Sequence, residues 1–102
     1  MVTDQKKLSV IIPTYNEEEN ILPLFERLVN VVSLLGMESV ELVFVNDGSA
    51  DNTLTAIKQL PQDKMIVKYI DLSRNFGHQV AVTAGLDHCV GDWIVIIDAD
   101  LQ

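Results

Sequence analysis

Asp98 and Asp100 stand one residue apart and follow the apolar run 93–97 directly, so two carboxylates sit where a short buried strand would end. An extended segment points residues i and i+2 the same way, which turns Asp98, Asp100 and Gln102 toward one side. An all-oxygen set of this kind suits a hard cation. Mg²⁺ or Mn²⁺ held by one or two carboxylates fills its remaining shell with water and phosphate oxygens. A solvated acidic turn has the same composition, so the pair acquires meaning only from what surrounds it.

The surroundings alternate strand and helix signals. Residues 8–12 are apolar and β-branched and are followed by Pro13, which predicts a buried strand ending there. Asn16 precedes Glu19 by three positions, a capping pair for a helix whose stripe is Ile21, Leu24, Phe25, Leu28, Val32 and Leu35, with Gly36 as its stop. Residues 41–45 form a second strand, and Asp51 is placed to cap a second helix carrying Leu54, Ile57 and Leu60. Residues 65–72 alternate as an edge strand with one wetter face, a third helix follows Gly77, and residues 93–97 are the fourth strand. Strands alternating with helices imply a parallel α/β sheet. With the first strand central and the fourth beside it, Pro13 and Asp98 meet at a topological switch point, where ligands bind.

Four polar clusters then share the rim at the strands' C-terminal ends: residues 13–17, 46–49, 73–77 and 98–102. The first of these, Pro-Thr-Tyr-Asn-Glu, contains no glycine and is neither a dinucleotide fingerprint nor a Walker loop. Phosphate must therefore be handled otherwise, and the carboxylates offer a metal. Tyr15 can stack on a nucleobase or pack over the sheet edge. Asp47 can accept a base N–H or close an Asx turn in which Gly48 takes positive φ. Arg74 can meet a diphosphate or an acidic surface neighbour. Gly77, Ala81 and Gly85 recur every fourth residue and predict close helix packing. His78 and His88 are too few and too separated for a zinc site, and no Cys–His pair marks a nucleophile.

The chain has 102 residues, 48% of them hydrophobic, and a net charge of −8. That charge, without a basic patch, argues against nucleic acid as a partner. A nucleoside diphosphate remains compatible if a divalent cation lies between it and the acidic rim. One cysteine, Cys89, excludes an internal disulfide and fits a reducing compartment. No apolar run is long enough to span a bilayer, and the first seven residues are polar with no signal core behind them. A flavodoxin-like signalling domain would need an acidic pocket near the first strand and a later strand lysine, and no suitable lysine is present.

Four segments, in order, resemble family 2 glycosyltransferases: Val10 through Glu17, Val45 through Ser49, Arg74 through Gly77, and Asp98 through Gln102. The resemblance runs from Leu8 to Gln102. The last motif is closest to the polyprenyl-phosphate glycosyltransferases, which include dolichol-phosphate mannose synthase and bactoprenol glucosyltransferases. Many members begin the second motif with two aspartates, whereas here Asn46 takes the first place. The resemblance implies a GT-A fold, a Rossmann-like parallel sheet with helices on both faces. It implies metal-dependent transfer of a sugar from a UDP- or GDP-sugar to a polyprenyl phosphate at the cytoplasmic membrane face. Pro13, Tyr15 and Glu17 would line the nucleoside pocket, Asp47 would contact the base, and Arg74 would contact the donor. Asp98 would meet donor and metal, and Asp100 and Gln102 would complete the Mg²⁺ or Mn²⁺ shell. A complete catalytic domain of this kind is about twice as long. The chain is thus expected to be the nucleotide-binding half, inactive alone, with membrane attachment supplied beyond Gln102 and an open sheet edge able to self-associate. A nucleotide-diphosphate-binding module without transfer activity is the alternative.

Overall fold

The computed structural model describes residues 6–63 and 65–99. Along it run β1 (Lys7–Thr14), α1 (Ile21–Val32), β2 (Ser39–Asn46), α2 (Thr53–Lys58), β3 (Ile66–Asp71), α3 (His78–His88) and β4 (Trp93–Ile96). All three strand pairings are parallel, in the order β3-β2-β1-β4, so β1 is central with β4 beside it, as the sequence implies.

The pleat sorts the core. Leu8, Val10, Ile12, Leu42, Phe44 and Val67 join Leu24 and Phe25 of α1 and Ile57 of α2 in one cluster. Ile12, Leu42 and Phe44 are fully buried, and burying such a side chain contributes about 1.5–3 kcal/mol. The alternate residues face α3. Its small positions Ala81 and Gly85 are buried, and a Cβ on Gly85 would come within 2.5 Å of the Ile11 side chain. The small-residue spacing therefore marks close packing, except at Gly77, where a Cβ would meet nothing within 4 Å and the residue serves instead as a positive-φ position, at 101°, just before the helix.

Four local expectations are corrected. Pro13 does not end β1, which continues to Thr14. The carbonyl of Ile11 accepts from Ile97 N–H toward β4, and that of Thr14 accepts from Asp47 N–H toward β2. Alternation thus turns Pro13 toward β4, whose ladder has already stopped at Ile96, and its missing N–H costs no strand bond. Asn16 does not cap α1. It takes φ 53° and bonds to the β2–α2 loop instead, while the helix starts after Asn20. That helix stops at Val32, so Leu35 is exposed in the following turn rather than on its stripe. Finally, β4 is not buried: Trp93, Ile94, Val95 and Ile96 are 44–58% exposed. Among the described residues it is the sheet edge, paired only with β1, and α3 packs over β1 and β2 instead. Asp51 caps as expected in substance: its carboxylate accepts from Thr53 N–H, although Asn52 is the residue immediately before the helix.

Candidate functional site

The loops leaving β1, β2, β3 and β4 meet over the C-terminal rim around one open cleft of about 360 Å³. Its walls bring together Pro13, Tyr15, Glu17, Asp47 and Asp98, with Thr14, Asn75, Gly77, His78 and Ala99 between them.

Cross-loop hydrogen bonds build the first wall. Asn16 N–H donates to Ser49 Oγ at 2.9 Å, and Asn16 Oδ1 accepts from Ala50 N–H at 2.8 Å. Glu17 N–H donates to Thr53 Oγ1 at 2.9 Å, and Glu17 Oε1 accepts from Asn20 Nδ2. Beneath them Asp51 accepts from Glu18 N–H and from Thr53. Burial pushes its pKa up, but these bonds outweigh that and hold it below the ordinary aspartate range. Thr14, buried at the end of β1, donates to the Val45 carbonyl and fixes Tyr15 just beyond it. Tyr15 is half exposed, with its ring available to the cleft.

The second wall hangs on Asp47, which is 4% exposed. Its Oδ1 accepts from Phe76 N–H at 2.8 Å, and its Oδ2 accepts from Gly77 N–H at 3.1 Å and Asn75 Nδ2 at 3.3 Å. The carboxylate thus organises the segment that leads into α3, while its residue still lines the cleft. Gly48 serves the same junction: at φ +70° it approaches the Arg74–Asn75 backbone so closely that a Cβ would lie 2.3 Å from it. Arg74 stands outside the described lining. It is exposed, with its guanidinium 4.5 Å from the Phe76 ring centroid.

Asp98, two residues past β4, is exposed and lines the same cleft as Tyr15 and Glu17. Asp100 and Gln102, expected to share its cation, lie outside the described residues. Among the described residues no three His, Cys, Asp or Glu side chains converge as a ready metal cage. A single exposed carboxylate on this open cleft is nevertheless compatible with Mg²⁺ or Mn²⁺, which take much of their shell from ligand and water. Sequence reasoning missed His78, having weighed it only for zinc. The available signal was its position directly after Gly77, at the first residue of α3.

The family model for glycosyl transferase family 2 matches residues 9–102. The chain belongs to glycosyl transferase family 2. Within that family it is 45% identical, over 94% of its length, to the prophage bactoprenol glucosyl transferase homolog of Escherichia coli, of which it spans 31%. Its fold matches S. aureus TarS 1-349 in complex with UDP-GlcNAc, with a TM-score of 0.81 and 30% identity over 92% of this chain and 26% of that one. It also matches the mannosyltransferase PcManGT of Pyrobaculum calidifontis in complex with GDP-Man and Mn²⁺, with a TM-score of 0.79 and 29% identity over 96% of this chain and 28% of that one. The sheet is accordingly the GT-A type and the family activity is glycosyl transfer, which removes the flavodoxin-like reading. No helix among the described residues is long and apolar enough to cross a membrane.

Proposed function

We propose that this chain is the nucleotide-binding part of an enzyme that moves a sugar from a UDP- or GDP-sugar onto a polyprenyl phosphate at the cytoplasmic membrane face. The observation that carries this reading is the convergence of Asp98 with Tyr15, Glu17 and Asp47 in one cleft at the C-terminal rim of a family 2 sheet. Support for the lipid acceptor comes from the bactoprenol-named relative, and support for a divalent cation comes from the Mn²⁺ beside GDP-Man in the Pyrobaculum enzyme.

In this reading Tyr15 stacks on the base and Pro13 and Glu17 shape the nucleoside pocket. Asp47 keeps the 75–77 segment in place against the donor, so that the floor of the cleft is rigid before the donor arrives. Asp98, with Asp100 and Gln102, would hold Mg²⁺ or Mn²⁺. When bound, the cation supplies Lewis-acid stabilisation of the charge that develops on the leaving diphosphate. An oxygen of the acceptor phosphate bonds to the anomeric carbon as the bond from that carbon to the nucleoside diphosphate breaks. The electron pair leaves with the diphosphate. The acceptor oxygen is already anionic, so none of the residues named here has to act as a strong base.

The test is transfer of radiolabelled sugar from UDP- and GDP-sugars to undecaprenyl phosphate by the full-length protein in membranes, with Mn²⁺ or with EDTA. Label in the organic phase that EDTA abolishes is the expected result. Donor binding without transfer to any polyprenyl phosphate would instead make the protein a nucleotide-diphosphate-binding module. Transfer to soluble acceptors alone would refute the lipid assignment.

A further inference from the structure

Charge in the cleft is unbalanced. Its described walls carry three carboxylates, from Glu17, Asp47 and Asp98, and a single basic side chain, His78. Arg74, the cation that the motif itself suggests, lies outside those walls and stacks on Phe76. A nucleoside diphosphate brings its own negative charge, and a single cation held at Asp98 offsets only part of it. The remaining phosphate oxygens need N–H donors.

We infer that His78 binds the diphosphate of the donor. This rests on the donor-site reading above and adds a residue to it. Several observations place the imidazole for that task. His78 is exposed, so ligand contact competes with no burial. It is the first residue of α3, and Ala81 N–H bonds back to the Gly77 carbonyl, so the helix backbone begins at once and fixes where the side chain starts. The preceding Gly77, with φ 101°, is turned toward the Asp47 carboxylate by its own N–H. His78 therefore sits on a pinned segment rather than a free loop. An imidazole can donate an N–H to phosphate whether neutral or charged, so the contact does not depend on titration. His78 also lines the groove between α3 and Ile96.

The experiment is binding of UDP, GDP and the corresponding nucleosides to the full-length protein with Mn²⁺, by calorimetry for the diphosphates and ligand-detected NMR for the weaker nucleosides. His78→Ala should weaken the diphosphate that the unmodified protein binds by about tenfold and leave its nucleoside unchanged, because one charge-assisted hydrogen bond is lost. His78→Lys, which restores an N–H donor, should recover most of the loss. Equal losses for nucleoside and diphosphate, or no loss for the diphosphate, would overturn the role of His78. Failure of the unmodified protein to bind either diphosphate would overturn the donor-site reading itself, and this inference with it.

Discussion

Glu41 and Asp47 lie on one strand and its exit, both 4% exposed, and between them they clasp the two ends of α3. At the N-terminal end of the helix Asp47 accepts from Phe76 and Gly77 N–H. At the C-terminal end Glu41 accepts from Ser9 Oγ at 2.5 Å and Val90 N–H at 2.7 Å, and pairs with Lys68 Nζ at 2.6 Å. Lys68 also donates to the His88 carbonyl, where a cation suits the helix end. The two carboxylates are alike in burial and each holds backbone N–H groups at an end of α3, yet of the two Asp47 alone lines the described cleft. A buried acid held by N–H donors is therefore no mark of a functional site by itself. What separates the two rims is that strand exits leave room at one end, whereas the α3–β4 connection seals the other, with Gly91 N–H donating to Ser9 Oγ.

The contrast can be broken most forcefully at the open rim. In the full-length protein Asp98→Ala should lower sugar transfer by about 10²–10³-fold, the scale of losing a group that stabilises developing charge. Its melting temperature should not move, since Asp98 is exposed. Retained transfer in radiolabel assays would remove Asp98 from the chemistry.

At the sealed rim the effect should appear in stability. Glu41→Ala leaves Val90 N–H and Ser9 without their acceptor and Lys68 without its partner, and should cost about 3 kcal/mol in urea unfolding. Nucleotide affinity, measured on the folded fraction, should be unchanged. A variant as stable as the parent would show that the network contributes nothing net.

Tyr15→Ala should reverse that pattern. Nucleotide binding should weaken by roughly 1–3 kcal/mol, as for other base–aromatic stacks, while thermal unfolding barely changes because the ring is half exposed. Loss of folding with affinity retained would assign Tyr15 to packing over the sheet edge.

The smallest effect concerns acid. Burial raises the pKa of Glu41, but hydrogen bonds from Lys68, Ser9 and Val90, together with the Lys68 charge, outweigh it and hold the carboxyl below the ordinary glutamate range. A depressed folded-state pKa contributes stability that is present above the unfolded-state value and is lost as pH falls through the folded-state value. Stability measured from pH 7 down to acid should therefore drop in that window, and Glu41→Gln should flatten this part of the profile. An identical profile in the variant would place the acid sensitivity elsewhere.

Much of this was legible from residues alone. Alternating apolar runs determine a parallel α/β sheet, because only that architecture buries short strands joined by amphipathic helices. Motif residues at four strand exits determine the rim on which Pro13, Tyr15, Glu17, Asp47 and Asp98 gather. Local cap signals misled where a long-range partner competed. Asn16 has the spacing of a cap, but the β2–α2 loop offered it Ser49 and Ala50, a pairing that needs the sheet to exist first. Pro13 reads as a strand end, and only the neighbouring strand's length shows that its missing N–H is harmless. Burial of β4 was misread for the same reason: apolar character is a property of the residues, whereas exposure depends on which strands and helices lie alongside. His78 is the clearest case. Its chemistry is visible in the sequence, but its place as the cleft's one described basic group depends on Asp47 drawing in the 75–77 segment across the chain, and on Arg74 turning out to Phe76. The sequence by itself determined which groups are available. Tertiary structure decided which of them face one another, because hydrogen bonds between distant loops, and not local propensity, set those positions.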